Sequence, residues 1–324
     1  MSTLARIAVV ALNGRRPGNV EGNRKRVLEL LDQALKIKPD LVALPETFTT
    51  SGMQEGAEKH AESLDGPTLD TFSKKAREHR CYVVCPIWTK RENKLWNSAV
   101  LLDRKGEIAG IYDKVFPVTT SPDYTLYENG VQPGQKAPVL ETDFGKIGLQ
   151  ICFDINFPET WQSLADQGAR LVCWLSAYPG GFPLRAHAWT HKYYVATSVQ
   201  VGPSKIINPC GDIISETEGL IEMTWQDINL DYVIAHSDFN YPVPDRILAK
   251  YGDRVKIHAY QEEGVLHIEP RDSKITCKQL QAEFGFEPYK IYLDRHIQGL
   301  DKLRNGCTAS PQQAAHGIRA QYSK

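Results

Sequence analysis

The sequence predicts an α/β fold of two packed sheets with helix layers outside, rather than one doubly wound sheet. Three observations point there. The first third alternates short apolar runs with amphipathic stretches, in the order β-α-β-α-β. The middle third changes to paired runs joined by tight turns, which adds antiparallel strands to the parallel ones. No repeat, low-complexity tract or linker interrupts the chain before about residue 240.

RIAVVAL (6–12) is short, continuous and rich in β-branched residues, the pattern of a buried strand. Val27, Leu28, Leu31, Ala34 and Leu35 recur at helical spacing within 20–37. LVAL (41–44) is a second buried strand, closed by Pro45. Residues 66–80 read as a helix and CYVVCPI (81–87) as a strand. Residues 97–114 read as two strands turning at Lys105-Gly106, and 137–152 as two more turning at Asp143-Phe144-Gly145. Pro158 suits the first position of a helix over 158–167, Glu159 complements its dipole, and Gly168 suits its end. ARLVCWLSA (169–177) is again a buried strand. A helix is expected through 185–195, then strands near 196–201, 204–208 and 212–216, and LDYVIAHSDF (230–239) closes the series. The remainder holds a strand-like VLHIE (265–269), a helical KQLQAEF (278–284) and a polar end. The expected organisation is one domain over 1–275 and a C-terminal extension over 276–324.

Bulk properties narrow the class. The chain has 324 residues, 42% hydrophobic and 24% charged, which is ordinary for a soluble globular protein. A net charge of -1 gives no reason to expect nucleic acid or a membrane surface as partner. The N-terminal apolar run is too short for a secretion signal, and no stretch approaches a membrane span, so a cytoplasmic location is expected. The seven cysteines are odd in number and irregularly spaced, which argues against a disulfide framework.

Three residues each follow a predicted strand. Cys152 stands in QICFDINFPE, between an apolar run and a helix start. At such a turn a side chain is presented above the sheet edge, and a following helix start favours a thiolate. Taken alone, the ordinary reading is a buried packing thiol. Glu46, in LPETF, is costly at a buried strand end unless solvated or paired. Lys114, in IYDKVFP, reads either as a surface lysine or as a fixed charge that holds an oxyanion. Together they supply a base, a cation and a nucleophile, the set that acyl transfer through a thioester needs.

With those residues in place, the chain resembles the nitrilase superfamily, the carbon–nitrogen hydrolases. LPETF is similar to that family's glutamate motif, NSAVLLDRKGEIAGIYDKVF to its lysine block, and GKIGLQICFDINFPETWQSLADQGARLVCWLSA to its cysteine block. The resemblance covers roughly residues 5–240. It implies a four-layer α-β-β-α sandwich of the nitrilase type and a Glu-Lys-Cys triad of Glu46, Lys114 and Cys152. It places a second glutamate at Glu128, in YENGVQPGQ, as a group that orients Lys114 or the substrate nitrogen. Phe153, Asn156 and Tyr178 are the residues expected beside the oxyanion or substrate, and Lys90 to Asn97 with loop 117–127 are expected to shape the pocket. The implied activity is cleavage of a small amide, with nitrile or N-carbamoyl hydrolysis, acyl transfer to an amine, or non-catalytic binding as alternatives. No cofactor or metal is required, and a homodimer or larger homo-oligomer is implied, with the Cys152 helix and the tail as contributors. Two departures stand in the elbow: Asn156 where many members have Arg, and Phe153-Asp154 where nitrilases often have Trp-Glu. His187 and His191 share a helical spacing but lack the Glu of a zincin, and Cys81 and Cys85 lack a second ligand pair.

Overall fold

The computed structural model describes residues 3–308 except Leu126, and these divide into two compact units at Leu230/Asp231. The boundary expected near residue 275 therefore falls earlier. Residues beyond 230 build a sheet and core of their own.

The first unit begins with strand β1 (Leu4–Val10), helix α1 (Val20–Leu35), strand β2 (Leu41–Ala43), a one-turn helix α2 (Ala57–His60) and helix α3 (Pro67–His79). Strands β3 (Tyr82–Arg91), β4 (Lys94–Leu102) and β5 (Ile108–Asp113) complete the first run. The second run is β6 (Leu140–Thr142), β7 (Gly145–Ile151), α4 (Pro158–Asp166), β8 (Leu171–Ser176), α5 (Phe182–His191), β9 (Tyr194–Val199), β10 (Lys205–Ile207), β11 (Ile213–Glu216) and β12 (Met223–Asn229). They form two six-stranded sheets, ordered β12-β1-β2-β3-β4-β5 and β11-β10-β9-β8-β7-β6. Strands separated by helices (β1/β2/β3 and β7/β8/β9) run parallel, and hairpin strands antiparallel, as crossover geometry requires.

Alternation along the first sheet explains the layering. Ala8, Val10, Val42, Val83, Cys85 and Val100 point to one face, where they bury against Val27, Leu30 and Leu31 of α1 and Leu69 and Phe72 of α3. The intervening Ile7, Val9, Ala43 and Val84 are equally buried on the other face. There the second sheet is tied on: Ser198 Oγ and Ser204 Oγ both donate to the Val10 carbonyl, at 2.6 and 2.8 Å. Helices α4 and α5 cover the outside of that second sheet. Gly148 of β7 makes room for α4, since a Cβ there would lie 2.6 Å from Leu164 Cδ1. The unit is a four-layer α-β-β-α sandwich.

Two expectations shift. The helix foreseen at 185–195 spans Phe182–His191, and the chain is already in β9 by Tyr194. The series does not close at 230–239. Its last strand is β12, which pairs with β1 along seven residues. As an edge strand with a mostly part-exposed surface, β12 lacks the apolar run that marks a central strand.

The second unit has strands β13 (Val233–His236), β14 (Val255–Tyr260) and β15 (Val265–Pro270) in the antiparallel order β13-β15-β14. Helices α6 (Val243–Tyr251), α7 (Cys277–Phe284) and α8 (Tyr289–Arg304) accompany them. Ala235, Ile247, Leu266, Ile268, Leu280 and Phe284 pack in its core. Thr276 and Gln279 form a capping box that starts α7, and Gly285 ends it at φ +71°.

Candidate active site

Loops after β2, β5, β7, β8 and β9 converge at one end of the two sheets, the place where α/β folds gather functional groups. Pro45 carries the chain out of β2, and Glu46 follows, only 5% exposed. Lys114 follows β5 and is 1% exposed. The two meet at 3.3 Å, Nζ to Oε1. The lysine does not reach water, so the surface reading fails.

Glu128 completes the charge cluster. The segment that carries it is docked by a Pro-Gly turn, where Gly134 N–H donates to the Lys114 carbonyl at 2.8 Å. A Cβ on Gly134 would sit 2.2 Å from the Asp113 carbonyl oxygen, so only glycine allows this approach. Both Glu128 oxygens accept from Lys114 Nζ, at 2.9 and 2.7 Å, and Oε2 also accepts from Val118 N at 3.0 Å. Asn97 Nδ2 bridges the carboxylates, 2.8 Å from Glu46 Oε1 and 3.0 Å from Glu128 Oε1. Glu46 Oε2 accepts from Ala177 N at 3.0 Å. Burial works against the Lys114 charge, but Glu46, Cys152 and Glu128 outweigh it and hold its pKa above the ordinary lysine value.

Cys152 leaves β7 with φ +46°, the left-handed region that non-glycine residues avoid. It opens a tight 3₁₀ turn, Cys152–Asn156, and α4 begins only at Pro158. The helix start expected at Pro158 is where the structure has it, six residues beyond the sulfur. Trp174 Nε1 donates to the Cys152 carbonyl at 3.0 Å and fixes the turn. Burial, then the Glu46 charge, push the thiol up to about 12. Lys114, Ser176 and the Ala177 N–H pull it down without offsetting them. The thiol therefore rests protonated, contrary to the thiolate expected from its position. Any nucleophilic use needs a base at hand.

Tyr178 stacks edge-on against Trp174 at 5.5 Å and is 39% exposed. Burial raises its pKa, and the nearby Cys152 and Glu46 side chains add to that, which places it beside both. Phe153 packs edge-on against Phe157. Asn156 is exposed, and its amide donates to the Phe153 carbonyl at 3.2 Å. Of the stretch Lys90 to Asn97, most is the β3–β4 hairpin, and Asn97 is the residue that reaches the cluster. A cavity of about 270 Å³ adjoins it, with Thr47, Ser51, Trp88, Asn129 and Gln200 among its lining residues.

Sequence reasoning missed Asn97 as a carboxylate bridge, Ser176-Ala177, and Asp154. It also missed Gln200, whose Nε2 donates to the Glu46 carbonyl at 2.6 Å. Asn97 and Gln200 each stand at the end of a buried apolar run, where a polar side chain signals a partner. His187 is absorbed structurally: it stacks on Trp161 at 4.0 Å and bonds the Ile155 carbonyl. Cys81 and Cys85 are buried packing thiols. Among the described residues no group of three or more His, Cys, Asp or Glu is placed to hold a metal, and no helix is long and apolar enough to cross a membrane.

The fold is thus an α-β-β-α sandwich with a glutamate, a lysine and a cysteine converging on its strand ends. The carbon–nitrogen hydrolase family profile matches residues 6–236, and the chain belongs to that family. Omega-amidase NIT2 of Xenopus tropicalis is 27% identical over 236 residues, covering 65% of this chain and 84% of the relative. Omega-amidase NIT3 of Saccharomyces cerevisiae is 24% identical over 277 residues, covering 75% and 92%. The crystal structure of S. cerevisiae Nit3, of the nitrilase superfamily, superposes with a TM-score of 0.61 at 21% identity, over 70% of this chain and 90% of that one. An amidase from Nesterenkonia sp. superposes with a TM-score of 0.59 at 24% identity, over 70% and 90%.

Proposed function

We propose that the chain hydrolyses a small amide through a thioester on Cys152. The observation that carries this is the buried Glu46–Lys114–Glu128 cluster set against a protonated thiol. Glu46 takes the thiol proton, and the sulfur attacks the amide carbon. Lys114 and the Phe153 N–H steady the oxyanion. Glu46 passes the proton to the leaving nitrogen, which departs as ammonia or amine and leaves the thioester. Water, deprotonated by Glu46, then cleaves the thioester to acid and regenerates the thiol. Glu128 keeps Lys114 aimed, and Tyr178 stands at the substrate side. Relatives named omega-amidases support an amide substrate. In a mutant of the Nesterenkonia amidase, the acetamide moiety of fluoroacetamide is found added at the active site cysteine, which supports the nucleophile.

The test is intact-mass analysis after incubation with a panel of amides, nitriles and carbamoyl compounds. The expected result is an acyl adduct on wild type, turnover with ammonia or amine release, and neither on Cys152→Ala. A Cys152→Ala protein that turns over at the wild-type rate overturns the assignment. Carbon dioxide among the products moves the substrate to a carbamoyl compound.

A further inference from the structure

Lys114 and Cys152 belong to different sheets. Lys114 follows β5, the edge strand of the first, and Cys152 follows β7 of the second. Their separation is set by how the two sheets sit on each other, and a shift of about 1 Å at a reacting centre costs on the order of 100-fold in rate. Something must tie the two strand ends together.

We infer that Asp154 is that tie: a positioning residue whose carboxylate locks the Lys114 segment to the Cys152 turn. The inference rests on the amide-hydrolase reading above. Asp154 Oδ2 accepts from Tyr112 Oη at 2.7 Å and from Ile151 N at 3.0 Å, and Oδ1 accepts from Phe116 N at 2.9 Å. Tyr112 and Phe116 flank Lys114 two residues to either side, and Ile151 directly precedes Cys152. The clamp thus brackets both functional groups without touching either. Its own segment is pinned in turn, because the Asp154 carbonyl accepts from Trp161 Nε1 at 2.9 Å. A second contact runs beside it: Phe116 stacks on Phe157 at 3.7 Å and 10°.

The residue type supports positioning rather than packing. Asp154 is fully buried, and a buried carboxylate is an expensive way to fill space. Three donors converge on two oxygens, so an amide of the same shape must point its NH₂ at one of them. Asparagine keeps the volume and breaks the clamp.

The experiment uses the full chain as Asp154→Asn and Tyr112→Phe. Near-ultraviolet circular dichroism and a cooperative melt establish folding. Two readouts follow: kcat and KM on an amide that wild type cleaves, and the pH profile of Cys152 alkylation by iodoacetamide. The expected result is a kcat roughly 100-fold lower in Asp154→Asn with KM within threefold, the scale of a small misplacement. The alkylation profile moves to higher pH, because Lys114 no longer sits where it lowers the thiol pKa. Tyr112→Phe, which removes one of three bonds without changing volume, shows the same changes at smaller size and serves alone if Asp154→Asn does not fold. Folded variants with kcat within twofold and an unmoved alkylation profile overturn the inference. Alkylation requires no amide turnover. If wild type cleaves no amide, the amide reading fails while the profile still decides for or against the tie.

Discussion

Replacing Glu128 by glutamine removes one charge from a buried cluster and leaves the shape nearly unchanged. Glu128 accepts four hydrogen bonds: two from Lys114 Nζ, one from Asn97 Nδ2 and one from Val118 N. A glutamine NH₂ must take the place of one oxygen. At Oε1 it faces Asn97 and Lys114, and at Oε2 it faces Val118 and Lys114. Either way two hydrogen bonds are lost, one of them from the charged lysine, which keeps its bond to the remaining oxygen. Hydrogen bonds to charged groups contribute about 1.5–3 kcal/mol each. After partial relaxation the variant should lose about 2–4 kcal/mol of stability. Lys114 is then left with Glu46 as its carboxylate partner and is drawn towards it. The base is weakened and the oxyanion site displaced, so kcat should fall by about 10²–10³, the scale of losing one oxyanion-hole donor. Urea unfolding gives the first number, and ammonia or amine release from a cleaved amide gives the second. A Glu128→Gln protein with an unchanged urea midpoint and kcat within threefold of wild type refutes the reasoning. Lost stability with a full rate makes Glu128 a structural residue only.

The remaining predictions concern pH and packing. Burial raises the Asp154 carboxyl to about 6 from 3.8. The native state therefore holds this proton more tightly than the unfolded chain, and its contribution to stability is lost as pH rises from about 4 to 6. At about 1.4 kcal/mol per pH unit of separation, the stability difference between wild type and Asp154→Asn should narrow by roughly 2 kcal/mol between pH 4 and 7. Urea titrations at both values check it, and a difference independent of pH contradicts it. Gly148→Ala puts a methyl 2.6 Å from Leu164 Cδ1. It should cost about 1–3 kcal/mol by overpacking, seen as a lower melting temperature. An unchanged melt would mean that α4 is free to move off β7.

Much of the fold was legible because its signals are local. β1, β2, β3, β7 and β8 are short, apolar and buried on both faces, so composition alone marks them. Pro67 and Pro158 sit inside helix starts, where proline's missing N–H costs nothing. β12 was missed because an edge strand carries half the apolar burden. Helices α6 and α8 were missed as well: α8 buries none of its residues, so it has no buried apolar stripe to read.

The sequence by itself determined most of the element types and which functional side chains stand just past strands, namely Glu46, Lys114 and Cys152. It did so because hydrophobic period and turn chemistry are properties of neighbours along the chain. Only the tertiary structure decided that Lys114 is sealed from water between two carboxylates, and that Asn97 bridges them. It also decided that the Cys152 thiol is held protonated rather than ionised. Those outcomes depend on burial and on charges 14 to 106 positions away in sequence. A dielectric environment is set by what folds over a group, and no local pattern carries it.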